Sequence, residues 1–240
     1  WEIPAGDTAD ADSAPWDARP RSWLASGMQA WFIQRDRQDP AGYAETWLQD
    51  SSLELDPPAY EAAYRGYLDD FAARGVAGVG FGHVWLRRPA ADGSQGRAWV
   101  VAEELTQPVD EALGTAWAAA VARRDRLTAG AGAGDAVGDP ALAALRGLHL
   151  RVAADVTEER HQRFGAEHPE VILARQGSGF RRVARLDTAT AGVLSASDGE
   201  LSVGQLVGAV AALLELDDVG RAGLLAALRE LHEDGFLVEG

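Results

Sequence analysis

The sequence predicts an α/β protein that grades into α+β, on three observations. Ala30-Trp31-Phe32-Ile33 is a continuous apolar run, the pattern of a strand covered on both faces, and Asp39-Pro40 follows it as the N-cap and first residue of a helix. Val76 to Leu86 alternates glycine with larger side chains over the length of a second strand. From Thr188 onward three helical stripes succeed one another and end in the apolar run Phe236-Leu237-Val238.

Taken in order, Arg21 to Ser26 reads as a short helix leading into a strand over Met28 to Ile33, which polar residues then end. The helix opened by Asp39 carries Tyr43 and Trp47 on one face, at i,i+4. Asp56-Pro57 caps the next helix, in which Tyr60, Ala63, Tyr64, Tyr67, Leu68 and Phe71 recur at helical spacing until Gly75 closes it. That stripe suits a base-stacking platform or a core-facing surface, and the interleaved Ala63 and Leu68 favour the core. Within Val76 to Leu86, Gly78, Gly80 and Gly82 share a bare face open to close packing, and Val79, Phe81, His83 and Trp85 share the other. Because these glycines lie inside a strand with no helix after it, they lack the geometry that cradles a phosphate.

Pro89 to Gly96 reads as a hairpin connection to a strand over Ala98 to Leu105, Asp110 to Leu127 as an Ala-rich helix, and Ala129 to Pro140 as a flexible low-complexity loop. Leu148, Leu150 and Val152 alternate as a strand. Val171 to Leu173 and Phe180 to Leu186 form a hairpin through Gly177-Ser178-Gly179. A helix over Thr188 to Ser197 stops at Asp198-Gly199. Ser202 and Gln205 then make a capping box for the stripe Val203, Leu206, Val207, Val210 and Leu214. Asp217-Asp218 precede a third helix with Leu224, Leu225, Leu228 and Leu231, ended by Gly235. Three short helices and a terminal β element make a winged-helix-like pattern, which also resembles the small peptide-binding chaperone domains of ribosomal-peptide biosynthesis.

Composition sets outer limits. A chain of 240 residues with 47% hydrophobic content can bury a real core, and no window is long and apolar enough to span a membrane, so a soluble, cytoplasmic protein is expected. Nothing at the start has the basic and apolar regions of a signal peptide. The absence of cysteine removes disulfides, thiol chemistry and Cys-based zinc sites. All 22 basic residues are arginine, and the net charge of -15 opposes broad binding to a polyanion. His83, His149, His161, His168 and His232 show no metal-binding spacing, so no metal is expected. Glu158, Glu159, Arg160 and His161 offer acid and base groups without a recognisable catalytic pattern, and Asp69-Asp70 reads as a solvated helix face.

Charge distribution singles out one candidate site. From Asp198 to Gly240 nine acidic residues face two basic ones, which suits a structural or protein-contacting role and not a helix that approaches phosphates. Val171 to Leu186 instead holds Arg175, Arg181, Arg182 and Arg185 with no acid. Together with Gln176 at the Gly177-Ser178-Gly179 tip, these are the candidate substrate-binding residues, suited to an anionic acceptor such as RNA. A strand period of two puts Arg181 and Arg185 on one face and Arg182 on the other. The alternative is that these arginines pair with the acidic third-helix region and hold subdomains together.

The segment Gln29 to Asp50, QAWFIQRDRQDPAGYAETWLQD, resembles a group of actinobacterial class I S-adenosylmethionine-dependent methyltransferases in which such a strand precedes a D-P-A-x-Y-A-E-x-W-L-x-D helix. LDDFAARGVAGVGFGHVWLRR (Leu68 to Arg88), DVTEERH (Asp155 to His161), ARQGSGFRRVARLDT (Ala174 to Thr188) and DGELSVGQL (Asp198 to Leu206) are similar to further blocks of that family, in the same order. The resemblance implies S-adenosylmethionine as cofactor and methylation of an amino nitrogen on a nucleic-acid base or a protein amide. The family's Gly-rich cofactor loop and its Asn/Asp-Pro-Pro-Phe-type catalytic loop do not occur here. Trp1-Glu2-Ile3-Pro4 looks like the end of a central strand just after that catalytic loop. With a start at Trp1 and an acidic loop over Gly6 to Arg19, the chain reads as the C-terminal half of such an enzyme, inactive by itself; a processed full-length chain is the other possibility. The organisation this implies is the C-terminal part of a Rossmann-like domain with inserted helices over residues 1–107, an α+β accessory region over 108–186, and the winged-helix-like unit over 187–240. The expected partners are the upstream half of the enzyme and an RNA or protein acceptor. The opposing expectation is a non-enzymatic binding module that uses the basic hairpin or the three-helix end.

Overall fold

The apolar run at Ala30–Ile33 becomes the centre of a mixed four-stranded sheet. In the protein, seen here as a computed structural model that describes residues 1–5, 15–51, 55–90, 98–110, 112–128 and 140–240, the fold is mixed α/β, with three sheets and eight helices among those residues. Two compact units divide it: Trp1–Pro89 with Ala98–Thr106, and Ala90–Arg97 with Gln107–Gly240. The loop expected from Gly6, the Pro89-to-Gly96 connection and the low-complexity loop fall largely on residues 6–14, 91–97 and 129–139, outside the described residues.

The first unit holds β1 (Glu2–Pro4), α1 (Ala18–Ser22), β2 (Gln29–Gln38), α2 (Pro40–Asp50), α3 (Pro57–Ala73), β3 (Val76–Arg87) and β4 (Val100–Glu104), with strand order β1-β3-β2-β4. Helix α1 begins three residues earlier than the sequence suggests and ends at Ser22; Asp17 at its start is ion-paired with Arg21. Polar residues do not end β2 at Ile33. The strand runs on to Gln38 because β3 pairs with it antiparallel from Gln29↔Arg87 to Gln38↔Val79, with a bulge between Gln34 and Asp36. Its polar side chains are bonded within the sheet: Gln29 accepts a hydrogen bond from Arg87 at 2.6 Å, and Gln34 donates to Glu104.

Strand β4 corrects the expected hairpin. It lies parallel to β2, from Ala30↔Val100 to Gln34↔Glu104, on the side away from β3. Strand β3 pairs with β2 along Val79–Arg87 and with the short β1 along Val76–Val79. Aromatic packing holds β4 in place, since Trp99 stacks on Trp85 with centroids 5.3 Å apart and meets Trp31 edge-on at 6.0 Å. Strand β1, expected as the end of a central strand, is an antiparallel edge strand of this sheet, with Glu2↔Val79. The bare glycine face is filled from β1's side: a side chain at Gly80 or Gly82 would run into the Trp1 indole.

Helices α2 and α3 follow their caps. Asp39 accepts from Gly42 N at 2.7 Å and Asp56 from Ala59 N at 3.2 Å. The aromatic stripe of α3 is core-facing at its C-terminal end only. Phe71 is buried and meets Tyr43 edge-on at 5.6 Å, while Tyr43 stacks on Phe81 of β3 at 6.1 Å; Tyr60 and Tyr64 stack on each other, half-buried.

The second unit holds α4 (Leu113–Thr128), α5 (Pro140–Gly147), β5 (His149–Val152), β6 (Val156–His161), β7 (Val171–Gln176), β8 (Val183–Leu186), α6 (Thr188–Ser195), β9 (Asp198–Ser202), α7 (Val203–Leu213), α8 (Asp218–Asp234) and β10 (Leu237–Glu239). One sheet has the order β10-β5-β9 and the other β6-β7-β8, both antiparallel. Strand β9, where the sequence suggests only a helix stop, pairs Ser202 with His149 and Asp198 with Arg151 of β5. One core gathers side chains from both sheets and from α4 to α8, among them Leu127, Leu145, Leu150, Leu186, Leu225 and Leu228. The capping box forms as read, with Gln205 N donating to Ser202 Oγ and Ser202 N to Gln205 Oε1. Val203, Leu206 and Val207 are buried, but Leu214 is 39% exposed because α7 ends at Leu213. Gly235 closes α8 in the left-handed region, at φ 89°.

No helix among the described residues is long and apolar enough to cross a membrane. No group of three or more His, Asp or Glu side chains among them could hold a metal ion.

Candidate functional site

The basic hairpin forms between β7 and β8, in register from Ile172↔Leu186 to Arg175↔Val183. Its second strand starts at Val183 and not at Phe180, because the turn is larger than the three glycine-containing positions suggest. Gly179 (φ 62°) and Arg181 (φ 49°) both occupy the left-handed region, which glycine tolerates and arginine adopts at a cost. Two carboxylates hold this turn. Asp155 accepts from Ser178 N at 2.9 Å and from its hydroxyl at 2.6 Å; Asp110 accepts from Gly179 N at 2.5 Å and from Arg181 Nε at 3.0 Å. That second role explains why α4 begins at Leu113 and leaves Asp110 outside it.

The four arginines therefore do not converge. Arg175, exposed, is held bidentate by Glu159 of β6 at 2.7 and 3.3 Å. These hydrogen bonds raise the guanidinium's pKa above its usual value and lower that of the Glu159 carboxyl. Arg181 leaves the strand altogether and bends to Asp110, so it does not share a face with Arg185. Arg182 is buried, lies over the Phe180 ring at 4.3 Å, and has Asp234 of α8 at 3.8 Å. Gln176, also buried, spans the same region by donating to Asp234 O at 2.9 Å and accepting from Arg182 N at 3.1 Å. Arg185 stays exposed, and among the described residues no carboxylate lies within 4.0 Å of it. The β7–β8 register puts Arg175 and Arg185 on the same outer face, with Arg182 opposite them.

Two concavities adjoin the hairpin. A small one of about 180 Å³ is lined by Arg123, Asp155, Gln176, Ser178, Phe180 and Asp234, among others. Burial pushes the Arg123 guanidinium below its usual pKa, against the pull of Asp234. The larger is an open cleft of about 570 Å³ between β8 and α8, with Ile172, Leu186, Ala227 and Leu231 as apolar surface and Glu170, Asp187, Glu230 and Asp234 around it. No local sequence signal marks this cleft. Its walls come from segments far apart in the chain, and only their packing brings them together.

The weaker candidates are surface groups. Glu158 pairs with Arg160 at 3.0 Å, His161 stands 3.8 Å from Glu159, and Asp70 is ion-paired with Arg74 on the exposed side of α3. The residues of β3 offer no cofactor cradle, since Trp1 fills the glycine face. Comparison with protein families, with curated proteins and with solved structures gives no match to this chain.

Proposed function

We propose that residues 1–240 form the C-terminal portion of an S-adenosylmethionine-dependent methyltransferase that transfers a methyl group to an amino nitrogen of a nucleic-acid base or a protein amide. What carries the reading is the arrangement of the two longest resembling blocks. They supply β2 with α2, and the end of α3 with β3. These pack as neighbours in one mixed sheet, with β2 central, buried along Gln29–Gln34, and flanked by one parallel and one antiparallel strand. Doubly wound sheets commonly carry an antiparallel strand at one edge. Val84 (43%), Leu86 (45%) and Val100 (36%) leave exposed apolar surface on that sheet, the kind that further chain covers. In this reading the cofactor loop and the catalytic loop belong to the upstream half, which holds the planar acceptor nitrogen against the sulfonium methyl carbon. Helices α6, α7 and α8 with the β9-β5-β10 sheet then serve as a winged-helix-like accessory element whose acidic surface faces protein.

A second reading, a non-enzymatic module that contacts protein, draws on the acidic three-helix end and not on the hairpin, where three of the four arginines have internal carboxylates as neighbours. Calorimetric titration separates the two. S-adenosylmethionine should show no tight binding to residues 1–240 and micromolar binding to the same chain extended by the upstream half. Micromolar affinity of residues 1–240 alone would refute the assignment of the cofactor site to the upstream half. Absence of binding by the extended chain would refute the methyltransferase reading itself.

A further inference from the structure

We infer that the small cavity enclosed by α4, the β7–β8 turn and the C-terminal end of α8 binds a small organic monocarboxylate, whose carboxylate pairs with Arg123 and whose short apolar body lies against alanine and phenylalanine walls. The observations that carry this all belong to the second unit, and none depends on the methyltransferase reading.

The first is a guanidinium whose terminal nitrogens are not used by the fold. Arg123, Arg124 and Arg126 of α4 and Arg182 of the hairpin lie near the end of α8, where three of them meet carboxylates. Arg124 is ion-paired with Glu233 and has Asp234 at 3.8 Å, Arg126 pairs with Glu239 at 2.7 Å, and Arg182 has Asp234 at 3.8 Å. Arg123, half-buried, has no carboxylate within 4.0 Å among the described residues. Its one hydrogen bond there runs from Nε to Glu233 O at 3.4 Å, a long contact that leaves Nη1 and Nη2 over. Gly235 makes room for this group: with φ at 89° it ends α8, and a Cβ on it would stand 2.6 Å from Arg123 Nη2. Capping the last turn of α8 therefore accounts for Nε and for the position of the guanidinium, but not for its two outer nitrogens.

The second is the cavity itself. At about 180 Å³ it has room for about six water-sized groups at about 30 Å³ each. Ala116 and Ala119, seven and four residues before Arg123 on the same face of α4, line one side, and Ala153, Phe180 and Val238 add further apolar wall. Such walls offer nothing to the outer oxygens of a free phosphate, whereas a carboxylate with a short hydrocarbon body buries that body on them. The planar fork of arginine matches the two oxygens of a carboxylate.

The third is charge. Burial pushes the Arg123 guanidinium below its usual pKa, and Arg126, Arg182 and Arg124 push the same way against Asp234. A guest anion relieves both effects. Asp155 and Asp234 also line the cavity, the first accepting from Ser178 N and its hydroxyl, the second beside Arg124 and Arg182. Their presence limits the guest to a single negative charge, since a dianion would meet twice the repulsion.

The test titrates sodium butyrate against the full 240-residue chain and reads saturation transfer from protein to the butyrate methyl protons, with butyramide and inorganic phosphate as comparison ligands. Butyrate should bind with a Kd of about a millimolar, and butyramide at least about tenfold more weakly, because it lacks the charge. Arg123→Gln should weaken butyrate binding at least about tenfold. Ala119→Leu should do the same by filling the cavity while leaving Arg123 in place; Ala119 is exposed on α4 and leucine is a good helix former, so this variant keeps the fold, which far-UV melting checks. Four results would overturn the inference: no saturation transfer up to about 50 mM butyrate, equal binding of butyramide and butyrate, unchanged affinity in folded Ala119→Leu or Arg123→Gln, or tighter binding of phosphate than of butyrate. The cofactor titration uses a different ligand and a longer chain, so either result stands without the other.

Discussion

Replacing Gly82 by alanine should unfold the first unit's sheet at a much lower temperature, while the same change at Gly66 should raise stability. A Cβ at Gly82 would overlap the carbonyl oxygen of Ile33 outright and stand 2.9 Å from its carbonyl carbon and 3.0 Å from the Trp1 ring. Carbon atoms in contact sit about 3.5 to 4.0 Å apart, so β2 and β3 must separate by more than about half an ångström beside the existing bulge. The Trp1 ring can swing away, but Ile33 is backbone in the buried central strand and cannot. Overpacking at about 1–3 kcal/mol and loosening of one or two ladder hydrogen bonds at about 1 kcal/mol each give a loss of roughly 2–5 kcal/mol. For a unit of this size that lowers Tm by roughly 8 °C or more. Gly66 lies exposed within α3 with nothing within 4 Å of an added Cβ, so alanine there should gain about 0.5–1 kcal/mol. Tryptophan fluorescence is the natural assay: of the 8 tryptophans all but Trp117 lie in the first unit. A Gly82→Ala protein that melts within 2 °C of the parent, on an order-of-magnitude Tm error of about that size, would refute the close approach of β2 to β3.

Two further outcomes concern the second unit. Leu228, at 0% exposure in the core shared by both of its sheets, should not tolerate a carboxylate: Leu228→Asp should cost several kcal/mol, an amount on the order of a domain's whole stability, and abolish the cooperative far-UV melting transition. His232 is fully buried, its Nδ1 facing Leu237 O at 3.0 Å and its Nε2 without a hydrogen-bond partner among the described residues. Burial, then the nearby Arg123 and Arg126, push its pKa below the ordinary value against the opposing effects of the Leu237 carbonyl and Glu239. The unfolded chain therefore takes up the proton first, and stability falls as pH drops below about 6.5, whereas above that pH both states are neutral and the contribution is level. His232→Asn, which can keep a donor to Leu237 O, should flatten the dependence of urea unfolding on pH between about 7 and 5; an unchanged slope would mean that His232 is protonated in the fold.

Elements whose signals are local were legible in the sequence. Asp39, Asp56 and the Ser202/Gln205 box each satisfy a donor three residues on, and Gly235 supplies the left-handed residue at the end of α8, so neighbouring residues decide these features. The buried run of β2 was legible for a related reason, since no half-solvated strand needs four consecutive large apolar groups. What was not legible depends on partners. The pairing of β4 with β2 is set by which edge is free and by the Trp85–Trp99 stack, neither of which the wording of Val100–Glu104 reveals. Strand β9 has too polar a sequence to announce itself and exists because β5 accepts it. For the hairpin, charge counting found the arginines but could not see Asp110 and Glu159, which arrive from α4's approach and from β6. A left-handed Arg181 also defeats any argument from strand period, because the residue has left the strand.

The sheet order β1-β3-β2-β4 bears on how the chain reaches its fold. Every pairing in that sheet joins distant segments, as with Glu2 and Val79 or Ala30 and Val100, so each requires a long loop to close before any ladder bond repays the entropy lost. The β6-β7-β8 meander needs only short turns, such as the one from Arg175 to Val183. Nucleation is thus expected in the second unit, while β2, with Trp31, Phe32 and Ile33 already synthesised, waits for both of its neighbours. During that interval the apolar run of β2 has two open edges, and the yield of folded protein is set by how quickly β3 and β4 reach it relative to another copy of itself.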